Sequence, residues 1–307
     1  MSPGKVWLVG AGPGDPGLLT LRGVEALRAA DVVLHDALSH PALLEHCRPD
    51  AEIRDVGKRG GRQSPSQDWI TSELVELARA GRRVVRLKGG DPLLFARGAE
   101  EIEALFAAGV PFEIVPGISS PAAASAYAGI PLTHRTISSS VTFITGTDRN
   151  GEVLPQETWA RVAQATDTLC VLMGMRRLPE ITEALERAGL PPSRPAAVVQ
   201  WASQPEQRVL VSTLGDVARE AAREGLQNPA LVIIGEVVPL RERVSWFERL
   251  PLFGRRVLVP RAAAQGAETA RAIRERGGEP VLVPALRIVE PPDPAPLETA
   301  LSRLEEF

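Results

Sequence analysis

Two short glycine-rich runs carry the residues of this chain that are best placed to do chemistry. The first, Gly10-Ala11-Gly12-Pro13-Gly14-Asp15-Pro16-Gly17, follows the apolar run Val6-Trp7-Leu8-Val9 and precedes Leu18-Leu19-Thr20-Leu21. Glycine permits positive φ and close approach of backbone to a ligand, and a helix opening after such a turn offers free N–H groups to polar or anionic ligand atoms. Strand, glycine turn and helix in that order point to a nucleotide-like cofactor. The dinucleotide fingerprint G-x-G-x-x-G is not met, because the third glycine arrives one residue early, and a turn without any ligand explains a lone run equally well. The second run, Lys88-Gly89-Gly90-Asp91-Pro92, follows the β-rich Arg83-Val84-Val85-Arg86-Leu87. Two glycine loops at strand ends suit a ligand bound at the carboxyl edge of an open parallel sheet. Asp36, after Val32-Val33-Leu34, has two readings. It is a turn or cap residue, or it is the acid found about twenty residues beyond a glycine turn, which binds ribose in dinucleotide enzymes.

The elements that must position these loops alternate. Short β runs at 6–9, 31–34, 53–56, 84–87 and 112–115 interleave with helical spacing at 18–29, 67–80, 95–108 and 119–128, which argues for βαβ units around a parallel sheet. Residues 131–140 are polar and turn-rich, so the expected boundaries are one α/β domain over 1–135 and a second over 136–250. In the second, strands are predicted at 141–145, 168–173, 196–200, 208–212 and 230–237, and helices at 178–188 and 215–224. Residues 146–157 lack periodicity and read as a loop able to cover a site. From Leu252 the pattern restarts: a strand at 254–261, a helix at 267–276, a strand at 281–283 and a helix at 296–305. This segment, 251–307, is a short α/β fragment with too few elements to bury a core of its own.

The chain has 307 residues, 44% hydrophobic, with a net charge of −3. It is long enough for two ordinary domains. No single-sign block of charge marks a nucleic-acid arm or a basic membrane helix, and no signal-peptide pattern or long apolar span is visible. Neither nucleic acid nor membrane is expected as a partner. Two cysteines, Cys47 and Cys170, lack CxxC spacing and fit a reducing, cytoplasm-like compartment as packing residues. His35, His40, His46 and His134 lack zinc-site spacing, so no metal is expected.

Read together, these residues resemble the uroporphyrinogen-III C-methyltransferases, within the S-adenosylmethionine-dependent tetrapyrrole methyltransferases. The resemblance lies in residues 9–15 (VGAGPGD), 18–21 (LLTL), 30–34 (ADVVL), 56–58 (VGK), 83–92 (RVVRLKGGDP), 111–118 (PFEIVPGI), 127–135 (YAGIPLTHR) and 141–146 (VTFITG), with Met173-Gly174, Gln207-Arg208-Val209 and 229–235 (PALVIIG). These runs stand in order across roughly the first four-fifths of the chain, which chance motifs do not do. The resemblance implies two α/β domains of the tetrapyrrole methylase type with S-adenosylmethionine in the cleft between them, in a homodimer. It implies C-methylation of uroporphyrinogen III at C2 and then C7, giving precorrin-2 for sirohaem or cobalamin, with S-adenosylhomocysteine as product.

The resemblance also assigns roles. Asp36 matches the proton acceptor and Lys58 the proton donor, with His35 standing where the family usually has tyrosine. Pro13, Gly89, Gly90, Asp91, Leu94, Ser119, Ser120, Met173 and Ala202 match cofactor-binding positions. Gly89 and Gly90 let backbone approach the cofactor, Asp91 offers acceptors, and Ser119-Ser120 opens a helix. Ala202, in Gln200-Trp201-Ala202-Ser203, departs from the glycine more usual there. Uroporphyrinogen is a polycarboxylate, so guanidinium forks are favoured around it. Arg62, Arg97, Arg135, Arg149 and Arg176 are the candidates in loops or helix starts. Residues from 252 resemble the opening of a uroporphyrinogen-III synthase domain. Alternatives are a methyltransferase for a later corrin intermediate, against which residues 131–135 with 207–209 speak, a nicotinamide oxidoreductase built on the first glycine turn and Asp36, and a scaffold that binds no cofactor.

Overall fold

The computed structural model describes residues 4–57, 65–286, 289 and 293–306. The chain divides into two compact units, 1–248 and 249–307.

The first unit holds two five-stranded sheets. In the first, β1 (Val6–Gly10), β2 (Val32–His35), β3 (Glu52–Asp55), β4 (Val84–Lys88) and β5 (Phe112–Val115) lie in the order β3-β2-β4-β1-β5. Every pairing is parallel. Successive strand side chains point to opposite faces, and here both faces are covered. Val6, Leu8, Val32, Leu34 and Val84 pack with Ile70, Leu74 and Ala78 of α2 (Gln67–Arg79) and Leu105 of α3 (Gly98–Ala107). Trp7, Val9, Val33, Val85 and Leu87 pack with Ala26 and Leu27 of α1 (Leu21–Ala29). Two covered faces explain the apolar runs of β1 and β2, while the edge strand β3 is largely exposed, and each buried Val or Leu contributes about 1.5–3 kcal/mol.

The second sheet has β6 (Val141–Thr145), β7 (Thr168–Leu172), β8 (Pro195–Gln200), β9 (Arg208–Thr213) and β10 (Ala230–Ile234) in the order β6-β7-β10-β8-β9. Only β6 and β7 are parallel, and the remaining pairs are antiparallel. One face packs on α5 (Gln156–Ala165), α6 (Leu178–Arg187) and α7 (Val217–Arg223). On the other, Cys170, Ala197, Val199, Leu231 and Ile233 meet Ala124 and Ala128 of α4 (Ser120–Ala128). That helix leaves the end of the first sheet and packs on the second, so it joins them.

Two sequence expectations change. The stretch 146–157, expected as a loop, turns helical at Gln156, and α5 runs on to Ala165, a helix not among those predicted; its apolar stripe is Trp159, Val162 and Ala163, and Trp159 is fully buried with its Nε1–H donating to the Leu154 carbonyl. Helix α3 begins at Gly98 and not at Phe95, since Phe95 and Arg97 take left-handed φ of 56° and 58°.

The second unit has parallel strands β11 (Arg256–Val259) and β12 (Glu279–Leu282), with α9 (Ala263–Arg274) between them and α10 (Ala295–Ser302) after. Its buried apolar side chains include Val259, Ala262, Ala270 and Ile273, while Leu258 stays 62% exposed. The short helix α8 (Arg241–Val244) closes the first unit.

Candidate active site

The two glycine loops meet at the carboxyl ends of β1, β4 and β5. Gly12 and Gly90 exchange backbone hydrogen bonds of 3.2 and 2.8 Å, and the Ala11 N–H donates to the Lys88 carbonyl at 2.7 Å. The loop glycines divide into two kinds. A Cβ on Gly117 would stand 2.3 Å from the Gly90 carbonyl oxygen and 2.6 Å from Gly10 Cα, and one on Gly10 would lie 2.5 Å from Gly117. Those positions are glycine because three backbones touch. Gly89 is different: it has no positive φ, and a Cβ there would meet only Leu38 Cβ at 3.5 Å. A Cβ on Gly90 would meet nothing nearer than 3.9 Å. Among the described residues nothing packs into the space directly above Gly89 and Gly90, which fits a loop that lets backbone meet a ligand.

Asp91 has a larger structural share than expected. Its Oδ1 accepts from the Leu93 N–H at 2.9 Å and its Oδ2 from the Gly117 N–H at 3.1 Å, tying the β4 loop to the β5 loop. Gly117 leads to Ser119 and Ser120 at the start of α4, where Ser119 makes no side-chain cap bond. Its hydroxyl and the first N–H groups of α4 are thus not consumed by helix capping. Leu94 is half-buried, two residues beyond Pro92.

The second sheet contributes loops from one edge. Leu172 and Gln200, the last residues of β7 and β8, pair with Leu231 and Ala230 of β10, which lies between those strands, so the loops that carry Met173 and Ala202 leave the same edge of the sheet. Met173 is 50% exposed at φ 54°, which excludes a role as buried filler. Trp201 and Ser203 also have positive φ, at 50° and 70°. Non-glycine residues in this region cost of order 1–3 kcal/mol and persist only when the surroundings hold them there. Here the Ser203 N–H donates to Gln207 Oε1, and Ser203 Oγ accepts from the Asp15 N–H at 3.1 Å. A Cβ on Gly14 would run into the Gln204 side chain. The turn holding Pro13 is thereby fastened to the loop holding Ala202. Tyr127 of α4 adds a second tie, its hydroxyl donating to Asp15 Oδ2 at 2.7 Å. Burial and the Asp15 carboxylate push the phenol pKa up, so the hydroxyl stays a donor. Sequence spacing gave no sign of this tie, which spans 112 residues.

Asp36 stands beside the glycine loops. Its N–H donates to the Leu87 carbonyl at 3.1 Å, extending the β2–β4 pairing by one residue. Its Oδ1 accepts from Arg86 NH2 at 2.5 Å. With its side chain 30% exposed, Asp36 is open to small molecules. Gly57 packs under Ala37, bringing the end of the β3 strand segment to the same place. Lys58 and Arg62 lie outside the described residues. Of the other candidate arginines, Arg97 pairs with Glu100 at 2.6 Å, while Arg135, Arg149 and Arg176 are exposed and form no salt bridge among the described residues.

Among the described residues no His, Cys, Asp and Glu group is arranged to hold a metal, and no helix is long and apolar enough to cross a membrane. An open parallel sheet with ligand loops at its carboxyl edge, fastened to a second sheet through Asp15, Ser203 and Tyr127, defines a two-sheet small-molecule enzyme site. Residues 5–218 match the family of tetrapyrrole (corrin/porphyrin) methylases, and the chain belongs to that family. It is 48% identical over 250 residues to a uroporphyrinogen-III C-methyltransferase of Sinorhizobium, covering 81% of this chain and 89% of that protein. It is 51% identical over 248 residues to a siroheme synthase of Pseudomonas fluorescens, covering 80% of this chain and 53% of the other. The chain thus spans about half the length of the siroheme synthases it matches. The Thermus thermophilus uroporphyrin-III C-methyl transferase, solved with S-adenyl homocysteine, superposes with a TM-score of 0.66 at 41% identity, covering 77% of this chain and 100% of that one.

Proposed function

We propose that this chain methylates uroporphyrinogen III at C2 and then C7, with S-adenosylmethionine as donor and precorrin-2 as product. The observation that carries the reading is the open face over Gly89 and Gly90, which no described residue fills, beside a partly exposed carboxylate in a chain 48% identical to an enzyme named for this reaction. When bound, S-adenosylmethionine supplies an electrophilic methyl group. Gly89, Gly90, Pro13, Leu94, Ser119, Ser120, Met173 and Ala202 hold it, and Asp91 fixes the loops that do so. The protein's main contribution is then to hold the donor in line with the pyrrole carbon.

Attack by a pyrrole carbon leaves positive charge on the ring and a proton to be removed. Asp36 answers both needs: its negative charge stabilises the cationic ring, and its Oδ2, which accepts no hydrogen bond among the described residues, takes the proton. Lys58 is the proton donor in this reading, and Arg62, Arg97, Arg135, Arg149 and Arg176 meet the substrate carboxylates, with Arg97 having to exchange its bond to Glu100. The reading includes two lobes, 1–135 and 136–250, with donor between them, in a homodimer working in the cytoplasm. The unpaired thiols of Cys47 and Cys170 support a reducing setting.

Incubation with uroporphyrinogen III and S-adenosylmethionine labelled in its methyl group tests the proposal. Two labels per tetrapyrrole are expected, and none on uroporphyrinogen with transfer to a later corrin instead would overturn it. Segment 251–307, proposed as synthase-like, is expected to be dispensable. Its two-stranded sheet leaves most side chains exposed, and it supplies none of the loops above. A chain ending at Leu250 keeps Trp246 and Phe247, whose rings lie 5.3 and 4.8 Å from that of Tyr127. Its methylation rate should match the full chain, and a folded, cofactor-binding but inactive product would refute this.

A further inference from the structure

Beneath Asp36 lies a buried group of charges that the proposed reaction does not use. Arg86 and Lys88 alternate with Leu87 on β4 and so share the sheet face that carries α2 and α3. Their side chains are 3% and 2% exposed, and Glu101, in the first turn of α3, is fully buried. Glu101 Oε1 accepts from Arg86 Nε at 3.2 Å, Lys88 Nζ at 2.9 Å and Gln67 Nε2 at 2.9 Å. Arg86 NH1 donates to the carbonyls of Leu34 and Leu87 at 3.4 and 3.3 Å, and its NH2 turns outward to Asp36.

Stability alone is a weak reason for such a cluster, because well-packed apolar residues in place of buried ion pairs are often neutral or stabilising. Glu101 Oε2 is buried with no hydrogen-bond partner among the described residues, and desolvation, then the nearby Arg86, lowers the Lys88 pKa. The two inner cations face one inner anion, and the charge that balances them is the partly exposed Asp36. With NH1 and Nε anchored on three sides, the Arg86 guanidinium plane has little freedom, so NH2 holds Oδ1 in one place.

We propose that Arg86, locked by Glu101, is the positioning residue that fixes the Asp36 carboxylate with Oδ1 tied and Oδ2 turned to the substrate. The inference rests on the reading of Asp36 as proton acceptor. In the step it serves, the newly methylated carbon is quaternary and holds no hydrogen, so a C–H bond of a methylene bridge beside the cationic ring breaks, its electron pair forms a C=C bond to the ring and cancels the positive charge on nitrogen, and the proton passes to Asp36 Oδ2. Nothing is oxidised or reduced. Arg86 keeps its own protons throughout.

A double-mutant cycle on turnover tests this in the full chain. Arg86→Gln is expected to lower kcat at least roughly tenfold, the loss expected when a positioned acid or base is set loose, with KM and S-adenosylmethionine affinity unchanged. Added to Asp36→Asn, it should cost almost nothing more, because both changes remove one function. Losses that multiply in the two backgrounds, or fall on KM and affinity instead of kcat, would overturn the proposal. Arg86→Lys, which keeps the charge, is carried through the same cycle in case Arg86→Gln does not fold. If neither folds, the cluster is a stability element and the proposal fails. Full turnover of Asp36→Asn by itself would instead sink the reading of Asp36, and so separates the two failures.

Discussion

Asp36→Asn is expected to reduce methyl transfer by roughly a hundredfold or more, the usual contribution of a positioned acid or base. The fold and the S-adenosylmethionine affinity should persist. The amide keeps an oxygen to accept from Arg86, and the Asp36 N–H still donates to the Leu87 carbonyl, so shape is retained and only the charge is lost. The Arg86 side chain is 3% exposed, so loss of its outer anion should lower the thermal stability measurably, while the retained hydrogen bond and the Glu101 partner keep the chain folded. Single-turnover transfer to uroporphyrinogen III, with calorimetry for cofactor binding, measures the two separately. Turnover equal to the parent chain would reduce Asp36 to a turn residue after β2.

Gly89→Ala and Gly117→Ala should fail in opposite ways. At Gly89 the new methyl meets only Leu38 at 3.5 Å, and the backbone needs no positive φ. Thermal stability should hold or rise slightly, since replacing glycine at an unstrained position stabilises by about 0.4–1 kcal/mol. The methyl stands in the space assigned to the donor, so S-adenosylmethionine affinity is expected to fall roughly tenfold to a hundredfold, the equivalent of about 1–3 kcal/mol of overpacking. At Gly117 the methyl is driven to 2.3 Å from the Gly90 carbonyl oxygen, and the loops must part. Stability and binding should fall together. Thermal melts with and without S-adenosylhomocysteine read both effects, and unchanged affinity in a folded Gly89→Ala chain would remove the cofactor from this loop.

The same two glycines show where sequence reasoning stops. Gly89 and Gly117 are equally conspicuous as letters after strand-like runs, yet one is glycine because backbones collide and the other because the protein leaves space. Only the packed loops distinguish them. Asp91 is a similar case: its Oδ1 serves the local turn to the Leu93 N–H, but that its Oδ2 goes to the Gly117 N–H depends on β4 and β5 ending at the same edge.

What the sequence determined by itself are features set by local rules. The inner strands β1 and β2 follow from apolar runs buried on two faces, α2 from Ile70, Leu74 and Ala78 at helical spacing behind the Ser66 cap, and the loops from glycines at strand ends. The family resemblance brought Asp36 and the cofactor positions with it. The tertiary structure decided what depends on distant chain segments meeting. It made the second sheet mixed, since strand direction is fixed by connections and not by composition, and it gave α5 its one deeply buried anchor in Trp159. It set Tyr127 on Asp15 across 112 residues and brought Arg86 between Asp36 and Glu101. Charged residues inside a strand read as surface in a sequence. Whether a buried partner waits for them is settled only when a helix packs over the sheet.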